Sequence, residues 1–149
     1  MGHMSKKSER FEPVKKIAQN NETAAAVKMN QSLQAQEESV DQLEKLRGYR
    51  ADYVVQFKLK GQNGMSASRL QEYQAFVQKL DRAIDEQIQA VHRMRVKAGE
   101  HQQAFKKTNS RKKVVEKLIE KSKRQENISK ERQEQVEADD RVFKGSQFD

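Results

Sequence analysis

The feature that most limits what this chain can fold into is a single break. In the stretch LKGQNGMSASRL, Leu59 to Leu70, two of the six glycines, Gly61 and Gly64, flank Asn63. The long segments on either side are rich in Gln, Glu, Lys, Arg, Ala and Leu, the residues that favour helix. A chain that is helix-forming almost throughout and interrupted once folds back once. The expected fold is all-α: a long antiparallel two-helix coiled coil, or α-helical hairpin.

Composition supports that reading. Of 149 residues, 34% are hydrophobic and 35% charged, and the mean hydropathy is -1.09. This is too polar for a globular core of that size, while the apolar residues are too evenly spaced for a disordered chain. One Pro, six Gly and no Trp leave little material for a β-sandwich. Long amphipathic helices remain. The opening MGHM has the look of a vector-derived scar, so His3 is set aside. No apolar run reaches the ~18 residues of a membrane span, and no signal peptide is visible. The absence of cysteine excludes a disulfide framework and fits a reducing compartment.

The helical period can be followed residue by residue. After the break, Tyr73, Val77, Leu80, Ile84, Gln87, Val91, Met94, Ala98, His101, Phe105, Thr108, Lys112, Val115 and Ile119 alternate steps of three and four. That is the seam of a coiled coil. Before the break, Leu33, Val40, Leu43, Leu46, Tyr53 and Phe57 form a less regular stripe, thinning upstream to Val14, Ile17, Ala18, Ala24, Ala25 and Val27.

Helix ends are legible as well. Pro13 suits a first helical turn, and Ser68 followed by Gln71 has the spacing of a capping box. Gly61 and Gly64 can end the first helix and take positive φ in the turn. The expected organisation is a flexible basic N-terminus over 1–12, helix one over 13–59, a loop over 60–67, helix two over 68–142 and a flexible tail over 143–149. At 1.5 Å per residue the helices span roughly 70 Å and 110 Å. Folding back near residue 63 puts Val14 opposite about residue 112. Beyond Ile119 the seam becomes Ser122, Glu126, Ser129 and Gln133, so the end of helix two has no partner within the chain. Pairing through a short loop outcompetes pairing between chains, which predicts an elongated monomer.

Charge is uneven. Residues 6–16 carry a net +3 and residues 106–132 a net +7, while 17–105 carry +1 and the tail from 133 carries -3. In a hairpin both basic segments fall at the open end, which points to an acidic partner there. Sequence-specific nucleic-acid readout needs a recognisable module or a stacking surface, and none is present. Catalytic motifs are missing too. His92 and His101 are nine residues apart rather than three or four. Asp85/Glu86 and Asp139/Asp140 lie in solvated helical surroundings, unlike the acids of a catalytic cleft. The expectation is a non-enzyme with no metal site and no cofactor.

Two runs are more specific than heptads. LRGYRADY, then a glycine-bearing loop, then LQEYQAFVQKLDRAIDEQI, resembles the FliJ family of the flagellar protein-export apparatus, as does the opening RFEPVKKIAQNNETAAAV. The likeness covers most of residues 10 to 105, and the acidic, aromatic end EADDRVFKGSQFD departs from it. The resemblance implies a stalk like that of rotary ATP synthases, inserted by its open end into the hexameric export ATPase. It implies promotion of ring assembly and activity, contact with the membrane export gate, and binding of export chaperones. It also implies a cytoplasmic protein peripherally associated with the inner-membrane export apparatus. On matching positions, the gate surface falls on Phe76, Leu80, Ala83 and Gln87. The basic end assigns ring contact to Lys15, Lys16, Arg111, Lys112, Lys113 and Lys117. Leu46, Tyr49, Tyr53, Phe57, Leu70 and Tyr73 are expected to pack the hairpin end.

Two other readings share these features. One is the stalk of a virulence type III secretion system, separable by gene neighbourhood. The other is a structural coiled coil that dimerises through its overhang and binds nucleic acid or membrane surfaces. Its signature is a concentration-dependent mass and DNA binding that survives physiological salt.

Overall fold

The computed structural model describes residues 6–146 and consists of two helices, α1 (Lys7–Lys60) and α2 (Ala67–Ser146), packed against each other as a hairpin. The chain divides into two compact units. One, the loop unit, is Ala25–Ala104; the other, the terminal unit, is Met1–Ala24 with Phe105–Asp149.

In the loop unit, α1 ends where the Gly61 N–H donates to the Phe57 carbonyl at 3.0 Å. Of the two turn glycines only Gly64 takes positive φ, at 98°. Gly61 serves by its lack of a side chain, since a Cβ there would lie 3.0 Å from Met65 Cε and 3.2 Å from the Phe57 carbonyl oxygen. The helix-two cap is Ser66, not Ser68: the Ser66 hydroxyl accepts from the Arg69 N–H at 3.2 Å. An N-cap bonds the third helical residue, and Ser66 alone precedes α2 at that spacing. The apolar contacts of this unit centre on buried Leu43, Leu80, Val91 and Ala98. Near the turn, Phe57 stacks on Tyr73 with ring centroids 3.6 Å apart, and Tyr53 stacks on Tyr73 at 5.6 Å.

In the terminal unit, α1 begins well before Pro13, at Lys7. The reason is a cap supplied from the other helix. Both the Ser8 N–H and hydroxyl donate to the Glu126 carboxylate, at 3.0 and 2.8 Å. A carboxylate at a helix N-terminus satisfies an orphan donor and meets the positive end of the helix dipole.

The α2 seam reads as its sequence does, every position from Tyr73 to Ile119 being buried or half-buried, and it continues through Ser122 and Glu126. Beyond, Asn127 to Gly145 is exposed throughout. The α1 seam upstream differs from expectation. Val14, Ile17, Ala24 and Val27 are exposed, and the inward positions are Ser8, Phe11, Lys15, Ala18, Glu22 and Ala25. Register differs as well: Lys112 faces Glu22 rather than Val14. The Phe57/Tyr73 and Glu22/Lys112 pairs are centred on Met65 and Ala67, so the chain turns later than Asn63. A late turn doubles its offset on the opposite helix.

Candidate functional site

The terminal unit gathers the basic side chains, but they do different work. Lys112 Nζ donates to Glu22 Oε1 at 3.0 Å, and Asn109 Nδ2 donates to Glu22 Oε2 at 2.8 Å. The Lys112 hydrogen bond, then that of Asn109, lowers the Glu22 pKa, and Glu22 in turn raises that of Lys112. The Glu126 carboxyl is also lowered, first by the Ser8 backbone N–H and then by the Ser8 hydroxyl. Lys112 is therefore committed within the hairpin, and Lys15 is half-buried on the seam. Lys16, Arg111, Lys113 and Lys117 are exposed, and on α2 Arg111 and Lys117 flank Val114 while Lys113 points further round the helix.

Beside them lies an apolar groove. Val14, Ile17 and Ala18 of α1 form one wall and Thr108, Val114 and Val115 of α2 the other, with Arg111 at the rim. Sequence reading placed Val14 and Ile17 in the seam, whereas they line this outward surface. Glu126, expected on a seam without a partner, instead pairs with Ser8, and Ser8, Glu22 and Asn109 are couplings that the sequence pattern did not indicate. A signal was nonetheless available, since Glu22 and Glu126 stand at seam spacing where a polar side chain needs a partner from the facing helix.

In the loop unit, the proposed gate residues occupy unequal positions. Leu80 is only 8% exposed, within the seam. Gln87 Nε2 donates to the Ser39 carbonyl at 2.8 Å and to its hydroxyl at 3.3 Å. Phe76 is half-buried, its ring centroid 4.5 Å from that of Tyr53 and 6.3 Å from that of Tyr49. Ala83 is half-buried on the seam's flank. Of the residues expected to pack the turn, Tyr53, Phe57 and Tyr73 stack and Leu46 is half-buried. Tyr49 touches Phe76 by its edge while largely exposed, and Leu70 is exposed.

Other polar pairs hold the loop-unit helices in register. Arg50 Nε donates to Asp81 Oδ1 at 2.5 Å, which raises the Arg50 pKa. Ser32 donates to the Lys28 carbonyl at 2.9 Å, so its oxygen accepts from His101 Nδ1–H. Among the described residues no three His, Cys, Asp or Glu side chains come together to hold a metal. No helix there is long and apolar enough to cross a membrane.

The fold and its polar, basic terminal unit define a helical-hairpin scaffold. This chain belongs to the flagellar FliJ protein family, whose sequence profile matches residues 6–146. Family membership makes it a protein associated with flagellar export. No curated protein and no solved structure matches it.

Proposed function

We propose that the chain is a non-enzymatic stalk of the flagellar export apparatus. Its terminal unit binds within the hexameric export ATPase and promotes ring assembly and hydrolysis. The observation that carries this reading is the exposure of the cations Lys16, Arg111, Lys113 and Lys117 around a hairpin end that continues as an exposed helical extension from Asn127. A ring lumen lined by acidic groups would hold such a surface by charge complementarity. One hairpin cannot contact six subunits equivalently, so its binding biases the ring toward inequivalent states.

The loop unit supplies the contact to the membrane export gate, through the exposed portions of Phe76 and Ala83. Leu80 and Gln87 act behind them: the first packs the seam and the second ties α2 to Ser39. Export chaperones are further partners, and the protein works in the cytoplasm at the membrane-bound apparatus.

The test is capture of the export ATPase by this protein, with hydrolysis measured in its presence and absence. The expected result is co-purification and increased turnover, with no hydrolysis by the hairpin alone because it has no phosphate-binding loop. Absence of binding, or unchanged turnover, would reject the stalk assignment.

A further inference from the structure

A second heptad series runs along α2 beside the intramolecular seam. Val114, Lys121, Ile128, Gln135 and Val142 recur every seven residues, while the seam uses Val115, Ile119, Ser122 and Glu126. The apolar members of the series face solvent: Val114 is 56% exposed, Ile128 50% and Val142 74%, with neighbouring Leu118 at 44%. Seven-residue spacing keeps a stripe turned toward one partner helix along its length. The charge along the stripe is polarised. Residues 111–124 carry seven Lys/Arg against two acids, and residues 133–146 carry four acids against two Lys/Arg.

We propose that this stripe binds a second copy of the chain, α2 pairing antiparallel with α2 about a two-fold axis at Ile128. In this register Val142 of one copy meets Val114 of the other. Leu118 meets Ala138, Gln135 meets Lys121, Asp139 meets Lys117, and Ile128 meets its symmetry mate. An isologous interface makes each contact twice, so both acidic segments lie on both basic ones. Parallel pairing would instead set basic against basic. Val142 enters the groove between Val14, Ile17 and Val114 as a third helix against the hairpin. No backbone change is needed, since α2 is helical to Ser146. Folding residues 133–146 back onto their own groove would require breaking that helix. The dimer covers Arg111 and Lys117, which flank the stripe, so self-association and ring binding compete. This consequence rests on the ring contact proposed above, whereas the dimer does not.

The cysteine-free sequence makes single-cysteine cross-linking a direct test. Ile128→Cys is expected to oxidise to a covalent dimer roughly tenfold faster than Lys130→Cys, which points about 200° away on the helix. Sedimentation of the unmodified chain should rise with concentration from the 17.3 kDa of one copy to twice that mass. Raised salt should weaken the association. Ile128→Glu, which sets two carboxylates across the axis, should stay at the mass of one chain with helicity unchanged. A single-chain mass up to millimolar concentration would overturn the proposal. So would equal cross-linking at the two positions. A single-chain mass with amide protection over 133–146 and a break in protection near 127–132 would mean that the tail occupies its own groove, and also overturns it. None of these measurements involves the ATPase. If the covalent dimer forms yet still binds the ATPase, the masking fails while the dimer stands.

Discussion

The loop unit and the terminal unit use the same heptad spacing for different purposes. In the loop unit the helices meet through Leu43, Leu80, Val91, Ala98 and a cluster of stacked rings. In the terminal unit Ile119 is the buried apolar residue among those described, and its cross-helix contacts include Ser8 with Glu126 and Glu22 with Asn109 and Lys112. Apolar burial removes side chains from water and carries most of the stability. Hydrogen bonds and part-exposed ion pairs contribute little net free energy, but they are directional and fix register. The terminal unit is therefore aligned without being strongly held, a suitable state for a surface that must accommodate a partner. Regions with few buried apolar contacts also open first.

The largest effect expected from this contrast is at Leu80. Leu80→Ala leaves a cavity in the loop-unit seam and should cost about 2–4 kcal/mol in denaturant unfolding. Lys15→Ala, at a half-buried seam position of the terminal unit, should cost about 1 kcal/mol or less, since a partly exposed side chain leaves no closed apolar cavity. Equal losses at the two sites would erase the distinction between the units.

Phe76→Ala comes next. A fully exposed ring would leave the melting curve unchanged on truncation, but Phe76 lies against Tyr53 and Tyr49 and is half-buried. The expected loss is about 1–2 kcal/mol, below that of a fully buried ring. Gate binding must then be measured well below the lowered melting temperature. Selective loss of gate binding with ATPase stimulation intact would make the two units functionally separable. Normal gate binding by folded protein would remove Phe76 from that surface.

Acid should separate the units without mutation. Glu22 and Glu126 have pKa values lowered in the folded state. Their contribution is thus complete above the unfolded carboxylate value of about 4.3 and lost as pH falls through the depressed folded values. Amide exchange, corrected for its intrinsic pH dependence, should show loss of protection in α1 near Ser8 and Glu22 before the Leu43–Leu80 region. Glu22→Gln and Glu126→Gln together should remove most of that difference. Uniform loss of protection would mean that the polar pairs do not set the terminal unit's stability.

The sequence displayed the hairpin and the whole α2 seam because apolar residues stand at most of its steps. It obscured the upstream α1 seam because the inward positions there include Ser8, Lys15 and Glu22, whereas Val14, Ile17 and Val27 face outward. Hydrophobic periodicity identifies the buried face only when that face is apolar. The late turn, and with it the pairing of Lys112 with Glu22, depended on the Ser66 cap and the crowding at Gly61, which spacing alone did not distinguish from a cap at Ser68. At the candidate sites, sequence located the basic segments and the aromatic residues near the turn. It did not reveal which cations were already engaged, because that depends on what faces them across the hairpin.

That difference among cations gives the smallest expected change in stability and the sharpest division of roles. Arg111, Lys113 and Lys117 are exposed, so replacing all three with Glu should leave helicity and melting close to wild type. Each exposed ionic contact is worth roughly 0.2–1 kcal/mol, so single reversals can be silent while the triple reversal sums them. Binding of the triple variant to the export ATPase should fall, and wild-type binding should weaken as salt is raised. Lys112→Glu behaves differently, because it places a second carboxylate against Glu22 and removes one of the two hydrogen bonds that Glu22 accepts. It should lower the melting temperature and loosen the terminal unit even where no ATPase is present. The comparison therefore needs both variants. Loss of ring binding by the triple variant at unchanged melting, with Lys112→Glu unfolding earlier, assigns Arg111, Lys113 and Lys117 to the partner and Lys112 to the hairpin. If the triple variant binds like wild type, the cationic surface is not the ring contact, and the exposed helix beyond Asn127 becomes the segment to test.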